Sequence, residues 1–312
     1  MAKFSRWVVF GVTLLFLAKT LQDHWLEVNS LSLVTIKWKT LILATIVTLL
    51  AHTWAGWVWT WILKDLNQSV PTGLFIRVYL KTNVAKYLPG NVWHYYGRIL
   101  TAKNTNIPTL VATLSVLLEP LLMATAALFN IILLPNKLSF ISLTFNHIPP
   151  QILQFISLCL LLGAIHPAVL NPALGILYQI KSKIKLPKKT PLPVNSSIQP
   201  INNLILEHYP LLPLMGELIF VYLRGTGFIL TISAVSNVDM SQIPVLMGSF
   251  SLSWVLGLII PGAPGGIGVF EASAILVLDD VFPPAILISA IALYRLISIL
   301  AETIGAAIGY LL

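Results

Sequence analysis

Long apolar runs separated by shorter polar segments dominate the chain. A membrane-spanning helix needs about 20 consecutive apolar residues. Runs near this length lie at Trp7–Leu21, Thr40–Leu63, Pro108–Leu134, Gln151–Leu170, Tyr209–Ser236, Ile243–Ile260 and Pro284–Leu312. The pattern predicts an all-α fold, a polytopic transmembrane helix bundle with about seven to eight membrane segments.

One apolar run is too short to cross a membrane. Gly268–Leu278 holds about ten apolar residues, which predicts a re-entrant half-helix. The segment Pro261–Glu271 before it reads PGAPGGIGVFE and interrupts helix between two apolar runs. Irregular backbone facing lipid leaves unpaired N–H and C=O groups that cost several kcal/mol each. We therefore expect this loop to be buried in protein or to line a wet cavity.

The composition supports a membrane protein and excludes several classes of site. The chain is 57% hydrophobic and 10% charged, with a mean hydropathy of +0.86, whereas soluble domains carry roughly 25% charged residues. The single cysteine, Cys159, excludes an internal disulfide and a cysteine metal cluster. No His or carboxylate pair has metal-ligand spacing, so we expect no metal and no cofactor. The net charge of +8 does not indicate a nucleic-acid partner.

Basic residues in the polar segments predict the orientation. Clusters precede the first run, follow the second and follow the fourth, at Lys3, Arg6, Lys64, Arg77, Lys81, Lys86, Arg98, Lys103, Lys181, Lys183, Lys185, Lys188 and Lys189. Cytoplasmic loops are enriched in Lys and Arg. We therefore expect a multi-pass protein of the cell inner membrane with a cytoplasmic N-terminus and a retained first helix. Residues 181–203, rich in Pro, Lys and Asn, predict a flexible cytoplasmic linker between two helical halves.

A second broken segment lies at residues 86–98, which read KYLPGNVWHYYGR. Its break falls at Pro89 and Gly90, and Lys86, His94 and Arg98 flank it. Two interpretations stand side by side. The segment is either an interfacial helix pair with snorkelling basic side chains, or a platform on which Lys86 or Arg98 binds the phosphate of a lipid headgroup.

The glycines of the first loop allow close backbone approach. Gly265, Gly266 and Gly268 precede the half-helix, whose free N–H groups can receive an anion. Glu271 falls in the first turn, where the helix dipole favours a carboxylate. Glu271 either caps this helix or orients a group of the bound headgroup.

Ionisable residues also occur inside the predicted spans, at Glu119, Glu217, Arg224, Arg295 and Glu302. A charge at the bilayer centre costs about 2.5–3.5 kcal/mol or more, so it normally faces a partner or water. A pair between helices, such as Glu217 with Arg295, would fix helix register. The alternative is a polar pathway in which Arg224 and Arg295 bind phosphate.

Four features together resemble one family: KYLPGNVWHYYGR at 86–98, Glu119 with Pro120, PGGIGVFEA at 264–272, and Arg295. They resemble the lysylphosphatidylglycerol synthase transmembrane-region family of flippase-like integral membrane proteins. The resemblance implies an all-helical inner-membrane bundle that handles lipids. Its best understood members, the multiple peptide resistance factors, add a soluble aminoacyl-transfer domain. The 312 residues contain no such domain, so we expect lipid handling without lysyl-lipid synthesis by this chain alone.

Three functions remain open at this point. The first is a flippase-like protein that translocates the headgroup of a membrane lipid, anionic or phosphate-bearing. The second is a membrane-embedded glycosyl- or aminoacyl-lipid transferase, for which the sequence shows no complete catalytic constellation. The third is a non-catalytic membrane partner of a soluble transferase.

Overall fold

The structure is a computed structural model that describes residues 36–87, 92–131, 150–172, 206–260 and 264–311. The predicted first span, Trp7–Leu21, and the predicted linker at 181–203 lie outside these residues. The described residues are mostly helical and include no strand. The predicted all-α bundle is confirmed.

The described residues form α-helices that range from 10 to 28 residues in length. In chain order they are α1 (Trp38–Asp65), α2 (Thr72–Asn83), α3 (Trp93–Asn104), α4 (Thr109–Ile131), α5 (Pro150–Ala164), α6 (Leu211–Val235), α7 (Ile243–Ile259), α8 (Val269–Leu278) and α9 (Pro284–Leu311). Short 3₁₀ turns lie at Val84–Tyr87, Met240–Gln242 and Pro264–Gly266.

Five of these helices are long and apolar enough to cross a membrane: α1, α4, α6, α7 with the turn before it, and α9. Large apolar side chains cover their outer faces, as at Ile42, Ile259 and Leu296, which are 61%, 62% and 63% exposed. Such an apolar surface would be costly in water and is stable in lipid. The chain is therefore a multi-pass membrane protein.

The predicted fourth span, Gln151–Leu170, is not one continuous helix. α5 ends at Ala164 after 15 residues, a length of about 22 Å against a hydrocarbon thickness of about 30 Å. The cause is Pro167, which lacks an N–H and disfavours helical backbone in His166. The prediction of a single helix across this run is corrected accordingly.

The short apolar run near 268–278 forms a short helix, as predicted. α8 has 10 residues, so it rises about 15 Å, roughly half of the hydrocarbon thickness. That α8 is re-entrant, entering and leaving the membrane on the same side, stays a prediction.

Close packing of small residues joins α6 to α1, the most extensive pair among the described helices. A Cβ atom on Gly216 would lie 2.7 Å from Val58 Cγ2, and one on Gly227 would lie 2.5 Å from Thr48 Oγ1. The indole of Trp54 donates to the Gly216 carbonyl at 2.8 Å. Because lipid offers no hydrophobic drive for helix association, such close van der Waals contacts and interhelical hydrogen bonds stabilise the pair.

Four aromatic rings join α6, α7, α8 and α9. Phe228, Phe250, Phe270 and Tyr294 each contact the other three, with ring centroids 5.3 to 6.0 Å apart. Most of these pairs are edge-to-face or tilted, which suits the quadrupoles of the rings. The cluster connects the short helix α8 to the long helices around it.

The packing of α6 on α1 predicts a steric effect at Gly216. We expect Gly216→Val to destabilise the protein by about 1–3 kcal/mol, the usual range for overpacking. Gly163→Val is the matched control, because it makes the same change of helix propensity and no described atom lies within 4 Å of its Cβ position. Thermal unfolding in detergent, followed by tryptophan fluorescence, measures both. Equal melting temperatures would contradict the proposed packing.

Candidate functional site

A polar cavity of about 120 Å³ lies between the helices and the broken segment before α8. Four cationic side chains line the cavity: Lys86, Arg98, Arg224 and Arg295. They come from the turn after α2, from α3, from α6 and from α9, so the tertiary fold brings together residues up to about 200 positions apart in sequence.

Arg98 and Glu119 form a buried ion pair at one side of the cavity. Arg98 Nη1 donates to Glu119 Oε2 at 2.7 Å, and both side chains are 2% exposed. The guanidinium also stacks on Tyr79, 3.6 Å from the ring centroid. Sequence reasoning selected both charged residues without pairing them. The positive charge of Arg98 is thus compensated by a carboxylate.

Lys86 is compensated by Glu302, a carboxylate of α9. Lys86 Nζ donates to Glu302 Oε1 at 2.6 Å, and His52 Nε2 lies 3.1 Å from the same oxygen. On the other side of the ring, Asn83 Nδ2 lies 3.2 Å from His52 Nδ1. Because a carboxylate only accepts, His52 Nε2 carries the proton and Nδ1 accepts from Asn83. This hydrogen-bond pattern is complete with a neutral His52.

Arg295 is compensated by Glu271 and by the backbone of the broken segment. Its Nε donates to Glu271 Oε1 at 2.7 Å, and its Nη1 donates to the carbonyl of Gly265 at 3.0 Å. The carbonyl of Gly266 lies 3.5 Å from Nη2. One guanidinium therefore binds an acidic side chain of α8 and pairs backbone acceptors that have no helical partner.

Glu271 also caps α8. Its second oxygen, Oε2, accepts the Gly268 N–H at 2.6 Å, and Glu271 occupies the third position of the helix. The capping interpretation of Glu271 is therefore confirmed. The same carboxylate holds Arg295, a role that the sequence did not reveal.

The two glycines after Pro264 have backbone conformations that other residues rarely adopt. Gly265 has φ 61° and Gly266 has φ 72°. A Cβ on Gly265 would lie 2.7 Å from Tyr87 Cε1, and one on Gly266 would lie 3.2 Å from the Cα of Gly257 on α7. The glycines let the loop approach both α7 and the turn after α2. The two broken segments of the sequence therefore meet at Tyr87.

Arg224 is the least compensated cation of the cavity. It is 6% exposed, its Nε has no hydrogen-bond partner in the described chain, and no described carboxylate lies within ion-pair distance. Its Nη1 is 3.4 Å from Ser298 Oγ and 3.4 Å from His52 Nε2. Since His52 Nε2 is a donor, that second contact is no hydrogen bond. Arg224 thus retains a positive charge with free donors.

Glu217 does not pair with Arg295, contrary to the expected interhelical pair. Glu217 is fully buried, and neither carboxyl oxygen has a hydrogen-bond partner among the described residues. Glu271 lies closer to Arg295 because the broken segment turns the start of α8 toward α9. The prediction of a Glu217–Arg295 pair is therefore wrong.

His94 lies in the cavity wall but is not a fifth cation. Its side chain is 6% exposed, and its ring lies 3.7 Å from that of Tyr95. Burial, together with the charges of Arg98 and Lys86, lowers the pKa of the His94 imidazole to about 3. The ring is therefore neutral at pH 7.

The structure gathers most of the predicted site residues. Those lining the cavity are Lys86, His94, Arg98, Glu119, Arg224, Gly265, Gly266 and Arg295. Glu271 and Gly268 support the loop behind it, Glu217 is buried outside the lining, and Pro89 and Gly90 lie outside the described residues. Sequence reasoning missed His52, Tyr87 and Tyr294 in the lining. A histidine inside a predicted span was the signal that could have identified His52.

The ion pair of Arg98 with Glu119 predicts that replacing Glu119 alone destabilises the protein more than replacing both residues. Removing one partner leaves an uncompensated buried charge, which typically costs about 3–5 kcal/mol. We expect Glu119→Leu to lower the free energy of unfolding in detergent by this amount, and Arg98→Met with Glu119→Leu to recover part of it. A double variant no more stable than the single one would contradict the pairing.

The contacts of Arg295 predict a loosening of the loop. The three acceptors, a carboxylate and two backbone carbonyls, are contacted by three different nitrogens of the Arg295 guanidinium. A lysine has a single nitrogen and lacks this planar fork, so it cannot reproduce the same geometry. We expect Arg295→Lys to speed amide hydrogen exchange in peptides that cover residues 264–271, with helix content retained. Arg77→Lys on α2 is the control and should leave exchange there unchanged. Unaltered exchange in Arg295→Lys would show that the loop does not depend on this side chain.

The sequence matches no protein-family model and no curated protein. The function is therefore inferred from the geometry of the cavity.

Proposed function

We propose that this chain is a flippase-like membrane protein that binds and translocates the phosphate-bearing headgroup of an anionic lipid. A phospholipid and a polyprenyl phosphate carry the same chemistry and are both candidates. The observation that carries the proposal is Arg224, a buried cation that lines a polar cavity without a carboxylate partner among the described residues.

The charges around the cavity support an anionic ligand. Three cations are paired, as Arg98 with Glu119, Lys86 with Glu302, and Arg295 with Glu271. Arg224 adds one positive charge that these pairs do not neutralise. An isolated buried charge is costly, and a phosphate group would remove that cost. Its oxygens would accept from the free Nε of Arg224 in a charge-assisted hydrogen bond.

The surroundings of Arg224 support a ligand that is a lipid. The cavity lies within a bundle whose outer faces are apolar, and Phe220, Trp254 and Phe270 contribute apolar area to its lining. A headgroup in the polar cavity can thus be attached to chains that lie among apolar side chains. Broken helices beside a buried polar site are typical of transporters.

The proposal also covers the protein family, the orientation of the chain and the membrane in which it lies. We propose that the chain belongs to the lysylphosphatidylglycerol synthase transmembrane-region family on the residues that carry the resemblance. Among these residues, Arg98 pairs with Glu119 and Arg295 pairs with Glu271. The basic residues between α1 and α4 support a cytoplasmic side for that segment. A cytoplasmic N-terminus and a bacterial-type inner membrane complete the proposal.

The test compares Arg224→Gln with the wild type in proteoliposomes. Phosphatidylglycerol with a fluorescent acyl chain is the probe, and dithionite added outside measures its movement between leaflets. Losing a hydrogen bond to a charged group costs about 1.5–3 kcal/mol, so we expect binding at least roughly tenfold weaker and translocation reduced to match. Arg77→Gln is the control for removal of an arginine away from the cavity.

Separate arms identify the class of ligand. Labelled phosphatidylcholine tests whether net negative charge is needed, and a labelled polyprenyl phosphate tests the second lipid source. Movement no faster than in protein-free vesicles, or full activity of Arg224→Gln, would overturn the proposal. Turnover of a labelled sugar or aminoacyl donor onto lipid by the purified protein would favour the transferase instead.

A further inference from the structure

A buried carboxyl group next to the cavity has no assigned task. Glu217 lies on α6, two helical turns before Arg224, or about 10 Å along the helix axis. Its side chain is 0% exposed, and both of its oxygens lack a hydrogen-bond partner in the described part of the chain. Among the described residues, Glu217 is the only acidic side chain that is buried, has no hydrogen bond at either oxygen and forms no ion pair.

The surroundings of Glu217 do not support a charged carboxylate. The helices packed on α6 are α1, α4, α7 and α9, and α7 carries no ionisable side chain. The charged groups that act on Glu217 are Glu119 and Arg98, and Arg98 is already bound to Glu119. Tyr79 also interacts with Glu119, Arg98 and Glu217. On α1 and α9 four ionisable groups line or border the cavity, and they are His52, Tyr294, Arg295 and Glu302. The other ionisable groups of these two helices lie at the helix ends, and they are Lys39, Lys64, Asp65 and Tyr310.

Burial without a partner favours the protonated, neutral form of Glu217. An ionised carboxylate without a hydrogen bond or a cation, beside a second carboxylate, is strongly disfavoured in a buried site. A protonated carboxyl removes that charge. Such a group is a proton-binding site whose occupancy depends on whether water can reach it.

We propose that Glu217 is the coupling site of a proton-linked transport cycle, in which the anionic headgroup and one proton move together. This inference rests on the proposed function. In the closed conformation Glu217 holds the proton as a neutral carboxyl. When the cavity opens to one side, water solvates the carboxylate, and the proton passes from the Glu217 carboxyl to that water.

The sign of the coupling follows from the charges. An anion on Arg224 repels a negative charge on Glu217 and attracts the proton there. The two ligands therefore favour each other's binding, and by linkage the effect is reciprocal. A low pH in the compartment that loads the lipid speeds its movement away from that compartment. This effect of pH on the rate has the same sign for either orientation of the protein in the vesicle membrane.

The experiment varies the lumenal pH of proteoliposomes at a constant external pH. Fluorescent phosphatidylglycerol in the inner leaflet is the probe, and external dithionite reports its outward movement. We expect several-fold faster movement from an acidic than from an alkaline lumen in the wild type. Glu217→Gln, which resembles the protonated carboxyl in shape, should move lipid at a rate that does not depend on lumenal pH. Glu207→Gln, the same change at an exposed residue, should retain the pH response.

An infrared measurement tests the resting state without transport. The carbonyl band of a protonated carboxylic acid should be present in the purified wild type at neutral pH, shift in D₂O, and weaken in Glu217→Gln. An unchanged band in Glu217→Gln would overturn the inference.

The transport outcomes separate the two proposals. A wild-type rate that ignores lumenal pH, or a Glu217→Gln variant with the full pH response, overturns proton coupling and leaves the proposed function standing. An absence of any wild-type movement overturns the proposed function and the coupling with it.

Discussion

A hydrogen bond of 2.7 Å joins Arg295 Nε to Glu271 Oε1, and the described backbone just before α8, residues 264–268, is arranged around it. Backbone that leaves a helix inside an apolar bundle loses the partners of its carbonyls and N–H groups. Arg295 donates to the Gly265 carbonyl, and Glu271 accepts from the Gly268 N–H. Because these contacts replace the missing helical bonds, the loop can bend toward Tyr87 and close one side of the cavity.

The same rule of compensation organises the charges. Each of three cations at the cavity has a carboxylate partner, so these pairs position helices and contribute little net charge. Two groups on α6 depart from the rule. Arg224 is a cation with free donors, and Glu217 is a carboxyl without a partner among the described residues. A single helix thus carries one excess cation and one carboxyl that is neutral only when it holds a proton. Together these two groups suit the binding of an anion and a proton.

Much of the fold and part of the site could be predicted from the sequence. Apolar length predicts α1, α4, α6, α7 and α9, because the thickness of a membrane sets the length of a spanning helix. The glycines at 265 and 266 identified the loop, and their positive φ angles show why glycine is needed there. The pairing of charges was not predictable, because Arg98 with Glu119 and Lys86 with Glu302 join residues on different helices.

Local composition and periodicity are enough to establish an all-helical membrane protein with charged residues inside its spans and a break before α8. Which charges neutralise each other depends on the packing of the helices. Glu271, and not Glu217, binds Arg295 because the turn at Gly265 and Gly266 directs the start of α8 toward α9. That choice leaves Arg224 and Glu217 without ion-pair partners among the described residues. The character of the cavity follows from distances between helices, which no local pattern encodes.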